Sequence, residues 1–320
     1  MIGVRTPFRI SFAGGGTDLP QFFKKNGGKV ISSSIDKYMY HFIHKFDDSL
    51  IQIKYSKNEL VKDPKNIRHP IVREVSKLFD LKGLDINSIA DIAKGTGLGS
   101  SSAYTVGLIN GLTKYEKRKI SISKLAALSA DVEINKVGDP IGKQDHYASA
   151  FGGLNKFTFY KNGNVKVKKI KFSKEQLDFL NSSMTLYRYG KSRSASKILI
   201  QQNLNLRKNK YVQLTQQIYN LVDDMESALL GADIKSIGEI LNENWNIKKQ
   251  LSGSISNEKL EKEINLLISQ KGIHGGKLLG AGSGGYILLV GEPSSINKIK
   301  SENIVKFTFE NEGSKVILND

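Results

Sequence analysis

The sequence predicts two α+β domains, residues 1–172 and 173–320, with a functional cleft between them. Three observations carry this prediction. The chain's 320 residues suffice for two cores. Strand-like and helix-like runs alternate along it with no internal repeat. Each half also carries a glycine loop beside a regular element, at residues 94–102 and 280–285. The first domain is expected to be a mixed sheet with helices on one side. The second is expected to be a smaller sandwich containing the amphipathic helix of residues 211–229.

Composition narrows the class. Apolar residues make up 39% and charged residues 25%, proportions of a globular chain with an ordinary surface. No apolar run reaches the length of a membrane span, and Met1-Ile2-Gly3-Val4-Arg5 runs directly into patterned sequence. No membrane partner and no signal peptide are therefore expected. Zero cysteines exclude disulfides and thiolate metal sites, which agrees with a cytoplasmic setting. The net charge of +17 raises the question of nucleic acid, but the basic residues are dispersed. A solvated basic surface ranks first, an anionic substrate second and nucleic acid third.

In chain order, residues 6–13 alternate Phe8, Ile10 and Phe12 against Arg9 and Ser11 and read as a strand. Gly14-Gly15-Gly16 ends it, and Thr17 or Asp18 caps a short helix that starts at Pro20. Residues 29–45 are β-rich and predict further strands. His41 and His44 then lie on opposite faces, which argues against a shared metal. A helix over 71–81 and a strand over 86–93 lead into the first glycine loop. A helix over 103–113 follows, then one over 123–137 that carries Glu133 on what reads as a solvated surface. Residues 155–172 form a hairpin turning at Asn162-Gly163, and 172–180 is the expected domain junction. A strand over 184–189 precedes a basic small-residue loop with Arg188, Lys191 and Arg193. That loop either holds a phosphate or simply caps the next helix. Helices over 211–229, 237–247 and 258–268 follow, with Asn242 and Trp245 read as packing residues. Short β-like runs at 304–309 and 315–318 finish the chain.

The first glycine loop, K-G-T-G-L-G-S-S-S, is the chemically informative stretch. Glycines let backbone N–H groups converge on one point, and a helix start behind them adds unpaired N–H groups. This is either an anion site or a plain turn with a serine cap. It lacks the Gly-Lys-Ser/Thr of a Walker A loop. Gly280, Gly282 and Gly285 spell G-x-G-x-x-G but precede the strand-like run Ile287-Leu288-Leu289-Val290, so a dinucleotide fingerprint fails on context.

Three stretches resemble the GHMP kinases. Gly97-Leu98-Gly99-Ser100-Ser101 matches their central Gly-Leu-Gly-Ser-Ser-Ala motif and departs from it at Ser102. Residues 7–20, P-F-R-I-S-F-A-G-G-G-T-D-L-P, look like the first motif as carried by heptose 7-phosphate kinases and fucokinase-like relatives. Residues 277–286 match the third motif.

The resemblance implies a ribosomal-protein-S5-domain-2-like N-terminal domain and a ferredoxin-like C-terminal domain. It implies ATP on Lys94, Gly95, Gly97, Leu98, Gly99, Ser100, Ser101 and Ser102, and Mg²⁺ on Ser101 and Glu133. Asp145 would be the catalytic base with Arg9 beside it, and His146 a supporting or surface residue. The Glu133–Asp145 spacing is one residue longer than in mevalonate kinase. Gly15, Gly16, Thr17, Asp18, Gly282, Ser283 and Gly284 would bind the sugar, and Arg188, Lys191 and Arg193 its phosphate. The implied activity is ATP-dependent phosphorylation of the anomeric hydroxyl of a heptose 7-phosphate by a monomer or homodimer. The alternatives are a kinase of unphosphorylated fucose or galactose and a non-catalytic nucleic-acid binder. Against the binder, aromatics are not interleaved with basic residues.

Overall fold

A computed structural model gives the fold and describes residues 1–190 and 195–320. Its centre is a pair of long antiparallel strands, β1 (Ile2–Ala13) and β2 (Gly28–Lys45). Phe8, Ile10 and Phe12 alternate along β1 and are fully buried, as the pattern predicts. The β-rich stretch at 29–45 forms one continuous 18-residue strand, where several were expected. Two neighbours share its other edge. Gly28–Ser33 pairs with β6 (Leu154–Phe159), and Met39–Lys45 pairs with β5 (Leu84–Ala90).

The first sheet is completed by β3 (Ile51–Lys54), β4 (Asn58–Val61), β7 (Val165–Lys169) and β12 (Lys315–Asn319). Its order is β12-β1-β2-β5-β3-β4, with β6 paired to β2 and β7 paired to β6. Only the β3–β5 pairing is parallel, so the sheet is mixed. The second sheet is antiparallel, in the order β11 (Ile304–Val305), β8 (Met184–Tyr189), β10 (Gly285–Gly291), β9 (Ile273–Leu278). This is the two-part α+β architecture the sequence predicts. However, β12 pairs with β1, so the last stretch of the chain returns to the first sheet.

The helices are α1 (Pro20–Asn26), α2 (Pro70–Val75), α3 (Ser100–Tyr115), α4 (Ile122–Asp131), α5 (Gln144–Phe151), α6 (Lys174–Ser182), α7 (Ala195–Asn205), α8 (Asn209–Leu230), α9 (Ile234–Lys248), α10 (Glu258–Ile268) and α11 (Pro293–Ile296). The bounds of β8 and α10 are the expected ones. The helix expected over 71–81 is the shorter α2. The junction expected at 172–180 is largely helix, because Ser173 and Gln176 form a capping box that starts α6.

Helix α3 lies against β1 and β2. It can do so because Gly107 and Gly111 face the sheet. A Cβ at Gly107 would stand 2.7 Å from Thr6 Oγ1, and one at Gly111 would stand 2.8 Å from Ile43 Cδ1. An interior helical glycine costs ~1 kcal/mol against alanine, a cost the close packing offsets. Helix α8 packs on α9 but also on β1 and β2, and its Val222, Met225 and Leu229 belong to the core of the first sheet. The two halves are therefore sealed against one another. No described helix is long and apolar enough to cross a membrane.

A buried aromatic cluster yields a first prediction. His41 on β2 meets Tyr104 edge-on at 4.7 Å, and His69 stacks on Tyr104 at 4.8 Å. Both ring nitrogens of His41 lack a partner among the described residues. Burial, with the His69 charge adding to it, lowers His41 to about 3. Burial lowers His69 to about 4, against the opposing pull of Glu59. Between these values and the ordinary 6.5, the unfolded chain binds more protons, so stability falls as pH falls. From pH 6.5 to 5 each histidine contributes a loss of up to ~2 kcal/mol. Urea unfolding at pH 7.5 and pH 5 measures this loss, and His69→Phe should remove part of it. An equal loss in the variant would sink the account.

Candidate active site

Arg9 is buried on β1 and points at the first turn of α5. Its Nε and Nη2 donate to Oδ1 and Oδ2 of Asp145, both at 2.7 Å, in a bidentate pair. Its Nη1 donates to the Gly97 carbonyl at 2.6 Å, and its backbone N–H to Leu98 O at 3.0 Å. One side chain thus ties the acid to the glycine loop. Asp145 keeps 22% of its side chain exposed toward the cleft.

The loop has the geometry the glycines predict. Gly95, Gly97 and Gly99 have φ of 75°, 84° and 75°, the left-handed region that glycine enters freely. A Cβ on Gly97 would stand 2.5 Å from Leu279 O, and one on Gly280 would stand 2.4 Å from Gly97 Cα. The two glycine loops therefore touch backbone to backbone, from opposite halves of the chain. Gly99 is the N-cap of α3 and no side chain caps it, so the first turn presents its N–H groups to the cleft. Ser100, Ser101 and Ser102 line that cleft together with Gly95, Gly97 and Gly99.

Glu133 lies on a π-helical turn, Val132–Val137, that extends α4. The i→i+5 winding takes in more residues per turn than an α-helix, in the segment whose spacing to Asp145 is long. The structure overturns the reading of Glu133 as a solvated surface residue, because it is fully buried. Its Oε1 accepts from Ser101 Oγ, and its Oε2 accepts from Thr105 Oγ1 at 3.0 Å and pairs with His146 Nε2 at 2.7 Å. Burial pushes the carboxyl up, but the His146 ring and the hydroxyl donors outweigh it and hold it below the usual range. His146 is likewise fully buried, so it supports Glu133 and is not a surface residue.

A magnesium ion takes hard oxygens in octahedral array and usually keeps water and phosphate oxygens around one or two carboxylates. Among the described residues no cluster of three or more His, Asp or Glu could hold a metal alone. Ser101 lines the cleft at the glycine loop and its hydroxyl meets the buried Glu133 carboxylate, which puts two hard oxygen donors of the kind magnesium takes beside one another.

Asp18 is not a helix cap. Leu19 occupies the N-cap position of α1, without a side-chain cap. The Asp18 carboxylate instead accepts from Gly16 N at 3.0 Å and Gln144 N at 3.1 Å and lines the cleft with Gly15 and Gly16. Burial raises its pKa, backbone donors oppose that, and the nearby Asp145 charge adds to it.

Several expected contacts lie elsewhere. The Thr17 hydroxyl is buried and spent on the backbone of Lys29, as donor at 2.7 Å and acceptor at 3.1 Å. Leu98 is a core residue, and Lys94 is exposed on the rim. Gly282, Ser283 and Gly284 turn toward residues 254–255, where Ser283 N donates to Ile255 O at 2.8 Å and Ser283 Oγ to Ser254 O at 3.1 Å. Gly280 and Ala281 face the cleft in their place. Arg188 lines a separate depression with Ala93, Thr96 and Glu263. Lys191 and Arg193 lie outside the described residues.

The structure adds groups that sequence reasoning missed. Ser11, Gln144, Gln202, Asn244, Lys248 and Lys277 line the same cleft. Ser11 Oγ, Gln144 Oε1 and Asn244 Nδ2 are buried without partners among the described residues, a mixed set of donors and acceptors suited to a polyhydroxylated ligand. Burial and the Arg9 charge lower Lys248 to about 8, against the opposing pull of Asp145 and Asp18. Lys277, 3% exposed, is pushed well below the ordinary lysine value by burial, then by Lys248 and Arg9. Lys277 had a signal, since it is a charge set between Gly275-Gly276 and Leu278-Leu279 at the end of β9. Lys248 had none among 48 basic residues.

Known proteins share this architecture. Residues 66–153 match the GHMP kinases N-terminal domain, and residues 225–305 match the GHMP kinases C-terminal domain. A D-glycero-alpha-D-manno-heptose 7-phosphate kinase of Campylobacter jejuni is 30% identical, over 98% of this chain and 98% of that protein. A bifunctional fucokinase/GDP-fucose pyrophosphorylase of Arabidopsis thaliana is 26% identical over 90% of this chain, which spans 29% of that larger protein. The crystal structure of a D-glycero-D-manno-heptose 1-phosphate kinase from Bacteroides thetaiotaomicron superposes with a TM-score of 0.81 at 23% identity, covering 100% of both chains. Both domain matches and the full-length relative lead to one assignment: this chain belongs to the GHMP kinases, a family of ATP-dependent phosphotransferases.

Proposed function

We propose that this enzyme transfers the γ-phosphoryl group of ATP to the anomeric (C1) hydroxyl of a heptose 7-phosphate. The product is a 1,7-bisphosphate on a route to nucleotide-activated heptose for surface polysaccharide. The observation that carries the chemistry is the bidentate Arg9–Asp145 pair, anchored through Gly97 where the two glycine loops touch. The full-length heptose 7-phosphate kinase relative supports the choice of sugar. ATP as donor suits a cytoplasmic enzyme.

Phosphoryl transfer needs the donor held, charge neutralised and the acceptor aligned. Residues 94–102 and the first turn of α3 take the triphosphate. Magnesium held by Ser101 and Glu133, with phosphate and water oxygens, would neutralise charge on the phosphates. Asp18, Gly15, Gly16 and the unpartnered Ser11, Gln144 and Asn244 hold the sugar hydroxyls. Asp145 accepts the proton of the C1 hydroxyl as the new oxygen–phosphorus bond forms. The bond from the γ-phosphorus to its bridging oxygen breaks, and its electron pair leaves with ADP. Arg9 keeps Asp145 aligned through its two hydrogen bonds. The segment up to residue 172 serves mainly as nucleotide holder, and the segment from 173 closes the cleft over it.

ADP release measured across heptose 7-phosphate, fucose and galactose tests the assignment. Turnover confined to a plain hexose would replace it. The second reading, a hexose kinase, gains some weight from Arg188, which faces away from the cleft. Arg193→Ala separates the two. If this loop reads the distal phosphate, KM for the sugar phosphate rises about ten- to a hundredfold, or roughly 1.5–3 kcal/mol. KM for ATP stays level. A weaker ATP KM with an unchanged sugar-phosphate KM would assign the loop to the nucleotide.

A further inference from the structure

Most partly buried lysines among the described residues are paired with acids, with Lys143, which donates to Gly163 O, an exception. Lys156 bridges Asp223 and Glu226, Lys54 meets Asp85, and Lys249 meets Glu261. The two lysines of the cleft differ. Among the described residues, half-buried Lys248 donates only to the carbonyl of Gly280. Lys277 donates to Phe12 O and Asn244 Oδ1, both at 2.7 Å. Neither has a carboxylate partner among the described residues. A cation withdrawn from water with only neutral partners is costly to keep. Its retention beside an open cleft indicates that the counter-charge arrives with a ligand.

The position of Lys248 shows which charge that is. Gly280, which it touches, abuts Gly97 of the phosphate loop, and Gly97 O in turn accepts from Arg9. Lys248, Gly280, Gly97, Arg9 and Asp145 thus form one continuous set of contacts running from the donor loop to the acid. The charged groups facing the Lys248 ammonium are Arg9 of β1, Asp145 of α5, Asp18 of the turn before α1 and Lys277 of β9. We propose that Lys248 of α9 is a further catalytic residue whose ammonium contacts the phosphoryl group in transit, and that Lys277 is a positioning residue. Lys277 orients Asn244, one turn before Lys248 on the same helix.

This inference rests on the phosphoryl-transfer reading and adds the cation that meets the developing charge. In the loose transition state the γ-phosphorus is detaching from the bridging oxygen of ADP while the acceptor oxygen approaches, and negative charge lies on its equatorial oxygens. A preorganised ammonium stabilises that charge more than it stabilises bound ATP. Burial also leaves Lys248 near its titration point at mildly alkaline pH, so the free enzyme loses this charge as pH rises past about 8.

The test uses Lys248→Met, which keeps most of the side-chain volume, and Lys248→Arg, which keeps the charge. Thermal melting confirms that both are folded. ADP release gives kcat and KM, and calorimetry gives the affinities of ADP and the non-hydrolysable analogue AMP-PNP. Lys248→Met should lose ~10²–10³-fold in kcat. It should bind AMP-PNP about tenfold more weakly and ADP as before. Lys248→Arg should recover much of kcat, and the alkaline limb of kcat/KM near pH 8 should disappear. A rise confined to the KM of the sugar phosphate would show that Lys248 reads the acceptor and would overturn the inference. So would unchanged kcat and AMP-PNP affinity. If the wild-type enzyme turns over no sugar in the panel, the proposed function fails, while the AMP-PNP/ADP contrast still decides the role of Lys248.

Discussion

Asp145→Asn is expected to cut kcat by ~10²-fold or more while leaving ATP affinity nearly unchanged. The substitution removes the negative charge and the proton acceptor but keeps the shape. Arg9 loses one of its two carboxylate bonds and then faces an amide N–H₂ group, a donor opposed to a donor. The donor loop should survive this, because Arg9 Nη1 still reaches Gly97 O and Arg9 N still reaches Leu98 O. The loss should therefore fall on the chemical step and not on nucleotide binding. Single-turnover quench kinetics with calorimetry of ATP-analogue binding separates the two. A loss of only a few fold would make Asp145 chiefly an orienting group, and unchanged turnover would remove it from the reaction.

Glu133→Ala should be the most destabilising single change at the site, costing ~3–5 kcal/mol. The carboxylate has no exposed surface and satisfies Ser101, Thr105 and His146 together, so its removal strands three polar groups. It also joins α3 to the first turn of α5, so the phosphate loop and the catalytic acid lose a common brace. Glu133→Gln separates packing from charge. It keeps the volume, and its stability should lie between wild type and the alanine variant. The magnesium concentration needed for half-maximal turnover should nevertheless rise in the glutamine variant. Urea unfolding and a magnesium titration measure the two effects. Equal magnesium dependence in Glu133→Gln and wild type would confine Glu133 to a structural role.

The sequence revealed local features better than distant ones. Strand β1, the turn at Gly14–Gly16, the glycine loop and α10 could be read because period, glycine and capping signals all lie within a few residues. The Arg9–Asp145 pair spans 136 positions, and only the resemblance to other kinases brought the two together. Read from its own helix alone Glu133 looks solvated, and only the resemblance set it beside Ser101. Only its distant partner His146 and its hydroxyl donors show why it is inside. From its own neighbours Asp18 could be a cap, because the helix start next to it offers one, and only the resemblance made it a sugar-binding residue. Its true partner, the N–H of Gln144, comes from another element. Strands β3, β4 and β9 passed unnoticed because short runs such as I-Q-I-K carry too little pattern to stand out from loops.

The pairing of β12 with β1 also governs how the enzyme can move. The chain crosses between the two sheets in the segment before β8 and again between β11 and β12. A body tethered at one covalent point can swivel in any direction. One tethered at two keeps a single soft rotation, about the line joining them. Here even that rotation is opposed by α8, which packs on α9 and also on β1 and β2. Gly280 and Gly97 are thereby held backbone to backbone in one register.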